Sequence, residues 1–120
     1  MSILATALVL IVAAIHVYIL VLEMFLWRTE RGRRSFGTSQ AFADQSATLA
    51  ANQGLYNGFL AAGLIWGAFA GDPVGFQVRV FFLGCVIVAG VYGAFTVNRR
   101  ILLVQALPAA IALAVVLVTH

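Results

Sequence analysis

From Ser2 to Leu22 the chain carries no formal charge, and from Gln45 to Gly71 it carries none again. Two further apolar runs follow, at about 75–97 and 101–118. About 20 consecutive apolar residues is the length a helix needs to cross the hydrocarbon core of a bilayer. In lipid the backbone must satisfy its own hydrogen bonds, which leaves helices and closed barrels as spanning structures. Barrel strands are alternating segments of about ten residues, and these runs are longer and do not alternate. The expected fold is therefore all-α, a polytopic membrane protein built as a four-transmembrane-helix bundle. A single domain over residues 1–120 holds spans at about 2–27, 47–70, 75–97 and 101–118, with a cytoplasmic loop at about 28–45.

Composition agrees. Of 120 residues 63% are hydrophobic and 9% charged, and the mean hydropathy is +1.06. A soluble domain carries roughly a quarter charged residues to cover its surface. Four spans leave no room for a soluble catalytic domain. The first run lacks the basic start and the small-residue cleavage site of a signal peptide.

The net charge of +3 is not the mark of a nucleic-acid binder. All seven basic residues are arginines, and six sit in two short segments between apolar runs, Arg28, Arg31, Arg33 and Arg34 in one, Arg99 and Arg100 in the other. Only Arg79 and Asp72 fall to the opposite side, where Arg79 can snorkel to the headgroups. The positive-inside rule then puts both termini outside and the arginine loops in the cytoplasm, in the plasma or inner membrane. The lone Cys85 has no partner for an intrachain disulfide.

Turn chemistry separates the runs. The segment RTERGRRSFGTSQAFAD (28–44) is the one markedly polar stretch, and a helix can start near Ser39, since Ser and Thr favour N-cap positions. Gly71, Asp72 and Pro73 make one turn, and Asn98, Arg99 and Arg100 another. Small residues recur at four-residue spacing: Gly54 with Gly58, Gly63 with Gly67 and Gly71, Gly90 with Ala94, and Ala106 with Ala110 and Ala114. Such faces let membrane helices approach closely, inside the bundle or in a homodimer or larger membrane complex.

Ionisable and amide groups at membrane depth are costly, and they mark a site by default. His16 and Glu23, seven apart, share one face of the first run. Asn52, Gln53, Tyr56 and Asn57 open the second, Tyr92 lies late in the third, and Gln105 opens the fourth, three residues before Pro108. At about 1.5 Å per residue, Glu23 lies roughly 6 Å and His16 roughly 16 Å inside Trp27. Counted from Ala47, Gln53 is roughly 9 Å deep and Asn57 roughly 15 Å. The polarity gathers in the cytoplasmic half. Matched depth pairs Glu23 with Gln53 or Asn52, and His16 with Asn57 or Tyr56. Pro108 frees the Val104 carbonyl as a further acceptor near Gln105.

Sequence signatures for cofactor or metal chemistry are missing: no HExxH, CxxC, Walker loop or GxGxxG. One histidine and one glutamate at depth are too few for a usual metal site, and no cofactor is implied. Trp27, Phe36 and Trp66 suit the interfacial belts, and His120 reads as a tail.

Four strings carry a family resemblance across nearly the whole chain: LEMFLW (22–27), ANQGLYNGFLAAGLIW (51–66), FFLGCVIVAGVYGA (81–94) and VQALPA (104–109). They closely resemble the bacterial and fungal domain-of-unknown-function family 1304. The resemblance implies a small four-helix integral membrane protein and no activity. Glu23, Asn52, Gln53, Tyr56 and Asn57 lie within the resembling strings.

Three function classes fit these residues. In the first, the polar groups line a cytoplasm-facing pocket that binds, and as an enzyme would convert, a small lipophilic molecule. His16 and Glu23 would then serve as acid and base. In the second, Glu23 exchanges protons for cargo in a small transporter, although the outer half of the membrane lacks polar residues. In the third, the cluster fixes helix register in a structural or accessory subunit whose Gly/Ala faces dock a larger complex.

Overall fold

The Ser2 hydroxyl accepts the Ala5 N–H at 3.0 Å and starts the first helix of the computed structural model, which describes residues 2–120. Helix α1 runs over Ile3–Met24 and closes where Phe25 and Leu26 both donate to the Val21 carbonyl. Helix α2 is Glu30–Phe36, α3 is Gln40–Phe69 and α4 is Val74–Thr96. A π-turn at Leu102–Ala106 leads into α5, Leu107–Val118. No strand forms among the described residues.

Local chemistry explains most of the boundaries. Thr29 caps α2 by accepting the Gly32 N–H, and Gly37 ends it at φ 68°, a left-handed conformation that glycine adopts without strain. Ser39 opens α3 by accepting the Phe42 N–H at 3.1 Å. Asp72 opens α4 through the Phe76 N–H at 3.0 Å. The π-turn sits just before Pro108, whose ring and missing N–H disturb the preceding helical turn.

The chain forms two compact units, one of residues up to Ile15 together with Leu60–His120, the other of His16–Phe59. In the first, the core is Ala5, Val9, Val12 and Ala13 of α1, Leu64 and Ala68 of α3, Leu83 and Val86 of α4, and Ala109, Ala112 and Val116 of α5. Small residues bring backbones together here. A Cβ on Gly90 would lie 2.7 Å from the Ala106 nitrogen, and one on Gly63 would strike the Phe82 ring. In the second unit, the Trp27 ring packs on Phe36 with centroids 4.9 Å apart, and its indole N–H donates to the Ser46 hydroxyl at 3.1 Å.

Two expectations are corrected. The loop expected at 28–45 contains α2, held by its Thr29 cap, by the Glu30–Arg34 ion pair one turn apart, and by Gly32 tucked under the Leu26 carbonyl. Arg79 does not snorkel. It is 2% exposed, donating from Nη1 to the Gly67 carbonyl at 2.8 Å and from Nη2 to Asp72 Oδ1 at 3.1 Å.

Of the four spans expected, two helices among the described residues are long and apolar enough to cross a membrane: α1 and α4. The helix Leu102–Val118 is apolar but shorter. Helix α3 has 30 residues, yet Asn52, Gln53 and Asn57 interrupt its apolar stretch.

Candidate functional site

Burial along α1 follows a narrow stripe, with Ala5, Val9, Val12, His16 and Glu23 all buried. Steps of three, four and seven residues keep these positions on one helix face. The face that carries His16 therefore carries Glu23. On α3, Ala43, Ala50, Gly54, Asn57, Ala61 and Leu64 form a corresponding buried stripe.

Within His16–Phe59 the two stripes meet. Asn57 Nδ2 donates to Glu23 Oε1 at 2.6 Å, and the same nitrogen lies 3.3 Å from the Gln53 carbonyl one turn back. Glu23 is 7% and Asn57 5% exposed. Gly54 makes the approach possible: a Cβ there would lie 2.6 Å from Met24 Cγ, 3.1 Å from Glu23 Cβ and 3.3 Å from the Leu20 carbonyl. One turn on, a Cβ at Gly58 would lie 2.8 Å from a Leu20 methyl. The glycines set the helix spacing, and the acid and amide occupy the space between.

The remaining sequence candidates fall elsewhere. Asn52 and Gln53, the partners that depth assigns to Glu23, have exposed side chains, because they project from a different side of α3 than Gly54 and Asn57. Tyr56 is exposed and meets Phe59 edge-on at 6.0 Å. His16 is completely buried. Tyr92 and Gln105 belong to the other unit, where Tyr92 is exposed and Gln105 is half-buried in the π-turn.

A hollow of about 250 Å³ opens beside the pair, lined by Glu23, Met24, Phe25, Trp27, Arg28, Thr29 and Ala47. Its lining residues are chemically mixed: acidic Glu23, apolar Met24, Phe25 and Ala47, and basic Arg28. Arg28 also pairs loosely with Asp44 at 3.7 Å. Among the described residues no three of His, Cys, Asp and Glu form a metal-ligating group.

Sequence reasoning missed the Arg79 cluster. Asp72, just before Pro73 and seven residues ahead of Arg79, is the signal that points to it: an acid able to cap a helix and to meet an arginine two turns along.

These features define a small all-α protein with two membrane-length apolar helices and a buried acid–amide pair. The chain belongs to the family described as protein of unknown function (DUF1304), whose model matches residues 10–117. It is 36% identical over 107 residues to the uncharacterized protein YpaA of Lactococcus lactis subsp. lactis (strain IL1403), a match covering 88% of this chain and 89% of that one. No solved structure matches it.

Proposed function

We propose that the protein is a multi-pass membrane protein that binds a small lipophilic molecule at the Glu23–Asn57 pair. The four membrane segments are α1, α3, α4 and Leu102–Val118, with the termini outside and the arginine-bearing turns in the cytoplasm. The exposed faces of the helices support the membrane reading. In the most apolar 18-residue stretches of α1 and α4 only 28% and 33% of the residues are buried. Ile3, Ile11, Phe81, Val88 and Phe95 are among the exposed apolar side chains. The core helix of a soluble protein hides such residues, whereas lipid is a solvent for them.

One observation carries the binding reading: the nearly buried Glu23 is among the residues that line a hollow together with apolar and cationic neighbours. Helix register alone needs little of this, since hydrogen bonds between membrane helices average only about 0.6 kcal/mol in one well-studied protein. The hollow is smaller than most ligand pockets, which run from roughly 300 Å³ upward. It suits a compact apolar body with one polar group directed at Glu23.

A lipophilic carbodiimide tests access to the pair in native membranes, with modified peptides read by mass spectrometry. Dicyclohexylcarbodiimide is expected to modify Glu23, and a water-soluble carbodiimide to modify the exposed Glu30 and Asp44 instead. Small apolar alcohols added beforehand should protect Glu23. Failure of the lipophilic reagent to reach Glu23, or no protection by any alcohol, would leave the pair as a register-fixing hydrogen bond and refute the binding site.

A further inference from the structure

We propose that Arg79 forms a second site, which binds a single oxyanion, phosphate or carboxylate, at the Gly71–Pro73 end of the protein. A guanidinium has five N–H donors in a fixed plane and no acceptor. In Arg79, Nη1 is used by the Gly67 carbonyl and Nη2 by Asp72, while Nε is buried with no hydrogen-bond acceptor among the described residues. A buried charged group with an unmet donor is costly, and the cost falls when an anion or a polar ligand supplies the acceptor.

Asp72 compensates the charge only in part. Its Oδ1, the atom that meets Arg79, also accepts the Phe76 N–H that caps α4. Its side chain is 43% exposed, so water screens it, while that of Arg79 is 2% exposed. Arg79 also lines a hollow of about 260 Å³, together with Thr6, Ala68, Ala70, Gly71 and Asp72. That space admits a phosphate or carboxylate group, and a guanidinium is the side chain best matched to either. Asp72 is the one carboxylate among the lining residues.

The oxyanion can come from solution or from a lipid headgroup. Melting curves of the purified protein in a neutral maltoside detergent separate the two. One arm titrates inorganic phosphate against chloride of matched ionic strength, and the other titrates phosphatidylglycerol into the micelles. A saturable rise in melting temperature is expected in at least one arm. Phosphate alone identifies a soluble anion, and phosphatidylglycerol alone identifies a headgroup. Asp72→Asn removes the competing carboxylate, so the rise should grow in that variant. Arg79→Gln should abolish it. Arg79→Lys keeps the charge without the fork and should weaken the apparent affinity by about tenfold, the loss of one charge-assisted hydrogen bond. Should Arg79→Gln fail to fold, the comparison of wild type, Asp72→Asn and Arg79→Lys decides alone. No anion-dependent shift in wild type or Asp72→Asn, or a shift undiminished by the Arg79 variants, overturns the proposal.

Discussion

Two glycines six residues apart on α4 should respond oppositely to the same change. Gly84 has nothing within 4 Å of the position a Cβ would take. At Gly90 the new methyl would lie 2.7 Å from the Ala106 nitrogen, 2.9 Å from its Cβ and 3.1 Å from its Cα. Ordinary contact begins near 3.4 Å, so the π-turn that carries Ala106 would have to retreat by several tenths of an ångström. Two of those three atoms are backbone, which no rotamer change can move aside. Overpacking of this kind costs about 1–3 kcal/mol. Alanine returns about 1 kcal/mol over glycine in a helix interior. Gly90→Ala should therefore lose up to about 2 kcal/mol net, and lie about 1–3 kcal/mol below Gly84→Ala, which should be neutral or gain up to about 1 kcal/mol. Titration with sodium dodecyl sulfate in mixed micelles, followed by far-ultraviolet circular dichroism, measures both on one scale. If Gly90→Ala is as stable as Gly84→Ala, the close approach of α4 to the π-turn is not what packs this unit.

Three further outcomes are expected. Glu23→Gln retains an oxygen to accept from Asn57 and should change stability by less than about 1 kcal/mol, while Asn57→Ala should cost about 1–2 kcal/mol; a double-mutant cycle of the pair that shows no coupling would rule out the hydrogen bond as a contributor. At Asp72, partial desolvation pushes the carboxyl up, but the hydrogen bond and the charge of Arg79 outweigh it and hold the carboxyl below its ordinary 3.8. A depressed folded pKa adds stability that is complete above the unfolded value and disappears as pH falls through the folded one. Melting temperatures of wild type and Asp72→Asn should thus differ at neutral pH and converge below about pH 4; curves that stay parallel throughout would show that the Asp72 charge does not matter. With Cys85 replaced by serine, single cysteines at Ser35 and Thr119 should label from opposite faces of intact cells, and labelling from one face would defeat both the orientation and the count of four membrane segments.

The helices were legible in the sequence because long uncharged runs and polar turns delimit them without reference to packing. Ser39 as a helix start, and the burial of both His16 and Glu23, follow from residue type and a seven-residue return. The partner of Glu23 was not legible from depth, because depth counts along a helix axis and ignores the angle around it. Asn52, Gln53 and Asn57 lie within about 8 Å of one another along the axis, yet only Asn57 shares the face of Ala50, Gly54 and Ala61. The small-residue stripe was the missing clue: it marks the side of α3 that another helix can approach, and an amide on that stripe is the one an acid will meet. Helix α2 escaped notice because seven residues show no periodicity, although Thr29, the Glu30–Arg34 spacing and Gly37 supply a cap, a pair and a stop. Arg79 escaped because an arginine near a helix start is ordinarily a headgroup anchor, and only the fold reveals the Gly67 carbonyl beside it.

The π-turn at Leu102–Ala106 fixes the phase of everything after it. Each residue of an α-helix advances the chain by about 100° around the axis, and a π-turn accommodates one extra residue within a single turn. The direction in which Ala109, Ala112 and Val116 point is therefore set upstream of α5, by the width of that one turn. Deleting a single residue there would leave every side chain of α5 in place in the sequence and rotate the whole helix out of step with its neighbours. For this chain the π-turn acts as a one-residue spacer that sets the phase of α5.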